Sequence, residues 1–341
     1  MTKRITIVDV AREAGVAISS VSAALNGGPG VSETTRSRVR EAADRLGWVP
    51  SVRGRSLSSK RSHAVGLVLQ RQVEVLESDP FFAGFIGGVE SVLAPSGYAL
   101  MLQVSTTADT GADRLRRLAL SGAVDGVFLT DVGVEDRRYD LLDRLDLPAV
   151  AVNAPGSDRV CSVTQDHRPG LRTLMEQLIR LGHRDIAHVS GAPGLVHTAQ
   201  RREVWASALR DAGLPPGREV VGDFTTEAGV RAADELFGGG RAPTAVVCAN
   251  DLMAIGFLSR VHGLGVRVPA DVSVTGFDGV LLGAYVNPPL TTVATSPGAL
   301  GRRAAEVLLA SIDGAPRSDE VIDPAAVVDR GSVAPPRASA A

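Results

Sequence analysis

The sequence predicts a small all-α domain at the N-terminus, followed by an α/β body of two doubly wound parallel sheets. Three observations predict it. Three short helical periods fill the first 47 residues, the first and third closed by a glycine. Two successive series of short apolar runs then alternate with amphipathic stretches, the pattern of parallel sheets covered by helices. Finally, residues 1–62 carry a formal charge of +6 and the other 279 carry −8, so the two parts differ in their electrostatic partners.

The first helix starts at Thr6, whose hydroxyl can cap while Asp9 reaches back in a T-x-x-D capping box. Val10, Ala11 and Ala14 follow at helical spacing, and Gly15 ends the helix. A second helix is expected over residues 18–25. A third starts at Ser32 and carries the stripe Val39, Ala42, Ala43 and Leu46 before Gly47. Helix, glycine turn, helix is a helix-turn-helix. On the second helix Val21, Ala24 and Leu25 face inward. Ile18, Ser19, Ser22, Ala23 and Asn26 form a small, uncharged outer face that suits close approach into a major groove. A basic end on an acidic body adds the electrostatic footprint of a nucleic-acid reader.

Residues 50–61 (PSVRGRSLSSKR) are polar and basic and read as a hinge. The domain expectation is a DNA-binding unit with hinge over 1–60 and a body over 61–341. Strands are expected at 64–69, 98–104, 124–129 and 149–153, then at 185–190, 220–224, 244–249 and 272–276. Helices are expected at 82–94, 171–181, 200–212 and 252–262. The lobes are expected to divide as 61–163 with 292–320 and 164–291 with 321–335. Ligands of such folds bind beyond the carboxyl ends of the strands, which places a site between the lobes.

Composition bounds the function class. With 44% hydrophobic and 22% charged residues the chain is globular. Cys161 and Cys248 sit in apolar runs and read as buried thiols. There is no CxxC pair and no His/Cys cluster at metal-ligand spacing, so no metal or cofactor is expected. The sequence shows no GxSxG elbow and no Walker loop, and the six histidines are scattered, so no enzyme is expected. The N-terminus lacks a signal-peptide core and no run reaches the ~18 apolar residues of a membrane span. A cytoplasmic protein is expected, and a solute-binding receptor without DNA function is disfavoured. The tail after Gly331 lacks heptads, so no appended oligomerisation bundle is expected.

The segment from ITIVDVAREAGVAISSVSAALN to VRGRSL resembles the reader and hinge of the lactose-repressor (LacI/GalR) family. Later landmarks follow in order: DPFF at 79–82, VDGVFL at 124–129, LGHRDIAHVSG at 181–191, ANDLMAIG at 249–256, VPADVSVTGFD at 268–278 and PPLTTV at 288–293. The resemblance implies a periplasmic-binding-protein-like body and a homodimeric regulator, a repressor by preference. It also implies a palindromic operator and a small effector between the lobes. Ile18 and Ser19 match base-contacting positions, and Thr6, Ser22 and Asn26 join them on the DNA side. Ala23 stands where the family commonly has Arg, which removes a bidentate guanine reader. Ala17 stands where a Ser usually caps the second helix. Leu57 matches the leucine that wedges into the central base step, while Gly54 disfavours helix in the hinge.

For the effector, the same resemblance points to Phe81 and Phe82 as wall candidates and to Thr130 as a hydroxyl at a strand end. Arg201 matches the arginine that grips ligand oxygens with a planar fork; Val204 replaces a glycine three residues on. Phe224 stands where an aromatic stacks. Asn250 and Asp278 end successive strands, Asp251 is expected to cap the next helix, and Asp166 is open between ligand contact and capping. Gly279 replaces a common acid, so a structural bond is expected to be lost there. His183 is expected to be structural. Forks, amides, carboxylates and aromatics together read as a carbohydrate site, with a nucleoside or purine as the alternative.

Overall fold

The computed structural model describes residues 5–25, 29–48, 61–71, 79–105, 107–239 and 241–337. The chain divides into two compact units, Met1–His63 and Ala64–Ala341. Asn26, Gly54 and Leu57 lie outside the described residues.

In the first unit, helices α1 (Ile7–Ala14), α2 (Ile18–Leu25) and α3 (Glu33–Leu46) close a small core. Val10, Val21, Val39 and Ala42 are fully buried in it. The Asp9 carboxylate accepts bonds from the Thr6 N–H and hydroxyl at 2.9 and 2.8 Å. Gly15 (φ 63°) and Gly47 (φ 60°) end α1 and α3 in the left-handed conformation, which a residue without Cβ adopts without strain. Ser32 caps α3 by accepting from the Thr35 N–H.

The second unit holds two six-stranded sheets. The first contains β1 (Ala64–Gln70), β2 (Ala99–Ser105), β3 (Gly126–Leu129), β4 (Ala149–Val152), β5 (Val160–Gln165) and, from far along the chain, β11 (Asp319–Ile322). Its order is β11-β5-β4-β3-β1-β2, all parallel. The second contains β6 (Ile186–Ser190), β7 (Glu219–Val221), β8 (Ala245–Cys248), β9 (Ser273–Asp278), β10 (Thr291–Ala294) and β12 (Ala326–Val328). Its order is β12-β10-β9-β8-β6-β7, parallel except for β12. Helices α4 (Pro80–Leu93), α5 (Ala108–Leu120), α6 (Arg138–Leu145) and α11 (Pro297–Ile312) belong to the first lobe. Helices α7 (Arg168–Arg180), α8 (Val196–Asp211), α9 (Thr226–Phe237) and α10 (Asp251–Gly263) belong to the second. Each sheet is buried on both faces by its own pair of apolar clusters, as parallel sheets require.

Both sheets reverse direction between the first and third of their strands, at β1/β3 and at β6/β8. Such switch points open a crevice at the strands' carboxyl ends. The chain crosses between lobes after β5, after β10 and after β11. One side chain clasps all three crossings. Buried Gln165 donates to the Asp323 carbonyl at 2.9 Å and accepts from the Ser296 N–H at 2.8 Å.

Several expectations need correction. Strands β5, β10, β11 and β12 were not anticipated as separate elements, and β10 carries the second lobe through Ala294 rather than stopping at 291. The third crossing follows Ile322 instead of 320. The 220–224 strand ends at Val221, because Phe224 turns into a left-handed conformation at φ 71°. Asn250, not Asp251, caps α10 by accepting from the Met253 N–H at 2.9 Å.

Candidate functional site

On α2, Ile18 and Ser19 are exposed while Val21 and Ala24 are buried; Ser22 and Ala23 are half-buried. Of the expected outer face, Ile18 and Ser19 are thus the residues most open to solvent. Ala17 has no side-chain acceptor, so its carbonyl alone engages the helix, accepting from the Val21 N–H at 3.1 Å.

In the second unit a cavity sits at the carboxyl ends of both sheets. It encloses about 510 Å³ of empty space, counting the part open to solvent. The lobes meet beside it through a short antiparallel contact. There the Val134 N–H donates to the Gly194 carbonyl and the Val196 N–H to the Val132 carbonyl, both at 2.9 Å.

Six of the eight effector candidates line this cavity: Phe81, Thr130, Arg201, Phe224, Asn250 and Asp278. Phe82 does not. It is 2% exposed, because successive helical residues point about 100° apart and Phe82 turns into the sheet-facing core with Phe85. Asp166 does not either. Its carboxylate takes the Arg168 side chain at 2.8 and 3.1 Å and the Arg168 N–H at 3.1 Å, so it opens α7.

Arg201 projects from α8 onto the Phe277 ring, 3.7 Å from its centroid. It donates to the Ala249 carbonyl at 2.5 Å. Its Nε has no partner among the described residues, nor has the Thr130 hydroxyl at the end of β3. Both residues line the cavity, and an unpaired buried polar atom calls for a partner. Asp278 sits 4.0 Å from Arg201. Burial pushes its carboxyl well above the usual range, against the pull of Arg201 and helped by Asp79 and Asp251. His197 is driven down to about 3 by burial and the nearby Arg201, so it is neutral near pH 7.

Phe224 forms one wall. Its ring lies where a side chain on Gly191 would have to sit, so only glycine fits there. Its carbonyl accepts from the Asn250 amide at 3.0 Å, and the Asp223 carboxylate takes the Thr225 N–H at 3.0 Å. The wall is therefore fixed from both sides.

Sequence reasoning missed six lining residues: Arg71, Asp79, Asp131, Val152, Asn153 and His197. Arg71 makes a fork pair with Asp131 at 2.9 and 2.7 Å and a third bond to Asp79 at 2.9 Å. Burial raises the Asp131 carboxyl, but the charge and bonds of Arg71 outweigh it and hold it low. Asp79 also caps α4 by accepting from the Phe81 N–H. A signal existed: Arg71 and Asn153 each follow a parallel strand directly and Asp131 stands two residues past one, where such folds place ligand contacts.

Other residues are structural. Buried Asp251 accepts from the Val280 N–H at 2.7 Å and the Thr292 hydroxyl at 2.6 Å. A side chain at Gly279 would sit 2.7 Å from the Ala294 Cβ, so an acid has no room there and Asp251 ties the turn. His183 bonds the Thr244 hydroxyl and the Ala334 carbonyl, pinning the C-terminal segment. Among the described residues no group of side chains could hold a metal ion, and no helix is long and apolar enough to cross a membrane.

Comparisons with known proteins agree with this geometry. Residues 6–51 match the family model of bacterial regulatory proteins of the lacI family, and residues 175–333 match a periplasmic binding protein-like domain. The chain is 34% identical over 312 residues to the HTH-type transcriptional repressor PurR of Vibrio parahaemolyticus, covering 90% of this chain and 92% of that one. It is similar to the transcriptional regulator CelR in its cellobiose complex, with TM-score 0.74 and 31% identity over 96% of this chain and 100% of that one. It is also similar to the lac repressor dimer bound to operator and an anti-inducer, with TM-score 0.81 and 26% identity over 97% and 100% of the two chains.

Proposed function

The chain belongs to the lacI family of DNA-binding transcriptional regulators, and from that premise we propose that it is a repressor whose operator affinity is set by a neutral carbohydrate held between its lobes. The lining of the cavity carries this reading. Two arginine forks face three carboxylates, with two amides and a neutral imidazole between them. Charges of both signs in near balance suit a neutral ligand, and dense donors and acceptors suit hydroxyls, each of which both gives and takes a bond. Phe81 and Phe224 offer apolar faces to a sugar ring. The likeness to CelR in complex with cellobiose points the same way.

Arg201, Asp278, Asn250 and Thr130 are the groups proposed to hold the ligand. Thr6, Ile18, Ser19, Ser22, Ala23, Asn26 and Leu57 are proposed to contact a palindromic operator. A homodimer suits such an operator. The exposed patch of Leu281, Leu282 and Tyr285, which are 75%, 56% and 77% exposed, offers an apolar face for pairing.

A thermal-shift screen of neutral sugars against nucleosides and purines tests the effector class. A ligand at 100 times its Kd adds about 2.7 kcal/mol to stability. A sugar that raises the melting temperature supports the carbohydrate reading. A shift by a purine or nucleoside alone replaces it, with Phe224 stacking a base.

A further inference from the structure

The second lobe carries another concavity, at the end of its sheet away from the cleft. It encloses about 990 Å³ of empty space, counting the part open to solvent. It lies where the neighbouring strands β7, β6 and β8 begin, whereas the cleft lies where strands end. The five residues of β6 put about 15 Å between the two ends.

Each of the three strands is preceded by an arginine that lines this groove: Arg184 before β6, Arg218 before β7 and Arg241 before β8. Arg184 donates to the Ile179 and His183 carbonyls at 3.1 and 3.4 Å, and Arg218 to the Arg241 carbonyl at 2.7 Å. These bonds hold the two heads in place without neutralising them, and neither head has an ion pair among the described residues. Arg241 has only Asp185, at 3.7 Å, longer than a hydrogen bond. The groove thus gathers three cations around one carboxylate.

Other surface arginines of the same lobe are treated differently. Arg172, Arg202, Arg231 and Arg260 hold carboxylates at 3.1, 2.6, 3.0 and 2.6 Å. The chain beyond residue 62 carries −8. An excess of positive charge in one concavity of an acidic body repels itself and concentrates anions. The guanidinium is a planar fork of five N–H donors that matches carboxylate and phosphate oxygens two at a time. Only Nη1 of Arg184 and Nη2 of Arg218 are engaged among the described residues, so both forks keep donors for a ligand. The groove is also preformed. A side chain at Gly217 would run into the Ile186 carbonyl and the Trp205 ring, so the turn at 215–217 is pressed onto the sheet, and a ligand loses little affinity to ordering it.

We propose that this groove binds a small polyvalent oxyanion, a phosphate compound or a polycarboxylate, as a second ligand separate from the one in the cleft. Arg184 and Arg218 are the groups that grip it, and Asp185 competes with it for Arg241.

The test is isothermal titration of the full chain at low salt with inorganic pyrophosphate and with citrate. At least one is expected to bind, and the preference between them tells phosphate from carboxylate chemistry. Arg184→Gln and Arg218→Gln are each expected to weaken that binding at least about tenfold, the worth of one charge-assisted bond, and to leave operator affinity unchanged. Asp185→Asn removes the competing charge and is expected to tighten binding severalfold. Damage to the fold cannot produce that gain, so this variant decides the matter if an arginine variant does not melt like the wild type. Binding of neither anion overturns the inference. So does binding that survives both arginine variants, which places the anion on the basic N-terminal unit, or binding lost in Arg201→Met instead, which places it in the cleft.

Discussion

Replacing Arg201 with Met isolates the electrostatic part of effector binding. Methionine keeps an unbranched stem against the Phe277 ring, which the guanidinium now covers at 3.7 Å. It removes the unpartnered Nε and the charge 4.0 Å from Asp278. A charge-assisted bond to a buried ligand is worth about 1.5–3 kcal/mol, so effector affinity is expected to fall roughly 10- to 150-fold. The free protein should change little in stability. Losing the donor to the Ala249 carbonyl leaves a buried acceptor unpaired, at about 1–3 kcal/mol, while removing a buried cation relieves its desolvation. Operator affinity without effector should match the wild type, because an effector shifts an equilibrium only through its differential affinity for the two states. Calorimetric titration of the identified effector, with a melt of each protein alone, reads both quantities. A wild-type dissociation constant in the Met variant would refute the placement of Arg201 in the site.

Three further outcomes follow. Gly191→Ala drives a Cβ into the Phe224 ring; overpacking of this kind costs about 1–3 kcal/mol, and effector affinity should fall with it, whereas a native melt and native affinity would show that the ring is free to move. Gln165→Leu removes both side-chain bonds that clasp the crossings and should lower stability by roughly 1–3 kcal/mol; an unchanged melt would show that the clasp adds nothing. Asp251 is raised to about 6 by burial; a carboxyl raised in the folded state contributes stability below its unfolded value near 3.8 that is lost as pH rises through about 6. Relative to Asp251→Asn, the wild type should therefore lose on the order of 2–3 kcal/mol between pH 4 and 6, and parallel stability curves for the two proteins would contradict the shift.

The N-terminal unit was legible because its signals are local. Thr6 with Asp9, Gly15, Ser32 and Gly47 each mark a helix end within one turn. The two-lobed body was legible from strands such as 64–69 and 244–249, whose nearly continuous apolar runs announce burial on both faces. Strands β11 and β12 were not. DEVI carries two acids at a sheet edge, and AVV is three residues long and pairs antiparallel with a strand more than thirty residues earlier. Such edge strands are specified by their partners rather than by their own composition. The crossings shifted for the same reason, since Ala294 and Ile322 are placed by pairing.

In the cleft, residues with a strong chemical identity at a strand end were found: Thr130, Asn250 and Asp278. Arg71, Asp79 and Asp131 were missed because their mutual pairing spans up to 60 positions, and standing just past a strand marks Arg71 and Asp131 only as candidates without naming their partners. Phe82 and Phe81 are alike in sequence, and only the rotation of α4 sends one to the core and the other to the cavity. Asp166 was open between two roles, and Arg168, two residues on, decides it.

The most direct test is fluorescence anisotropy of the full chain on a palindromic duplex obtained by in vitro selection, with salt and the effector as variables. Two protomers are expected per duplex. The logarithm of the affinity should fall linearly with the logarithm of salt, by about 0.9 for each phosphate contacted. A sugar identified by thermal shift should move the binding midpoint of the wild type and leave that of Arg201→Met in place. Failure to enrich any duplex, or equal affinity for selected and random DNA with no response to the sugar, would contradict a sugar-controlled operator-binding regulator.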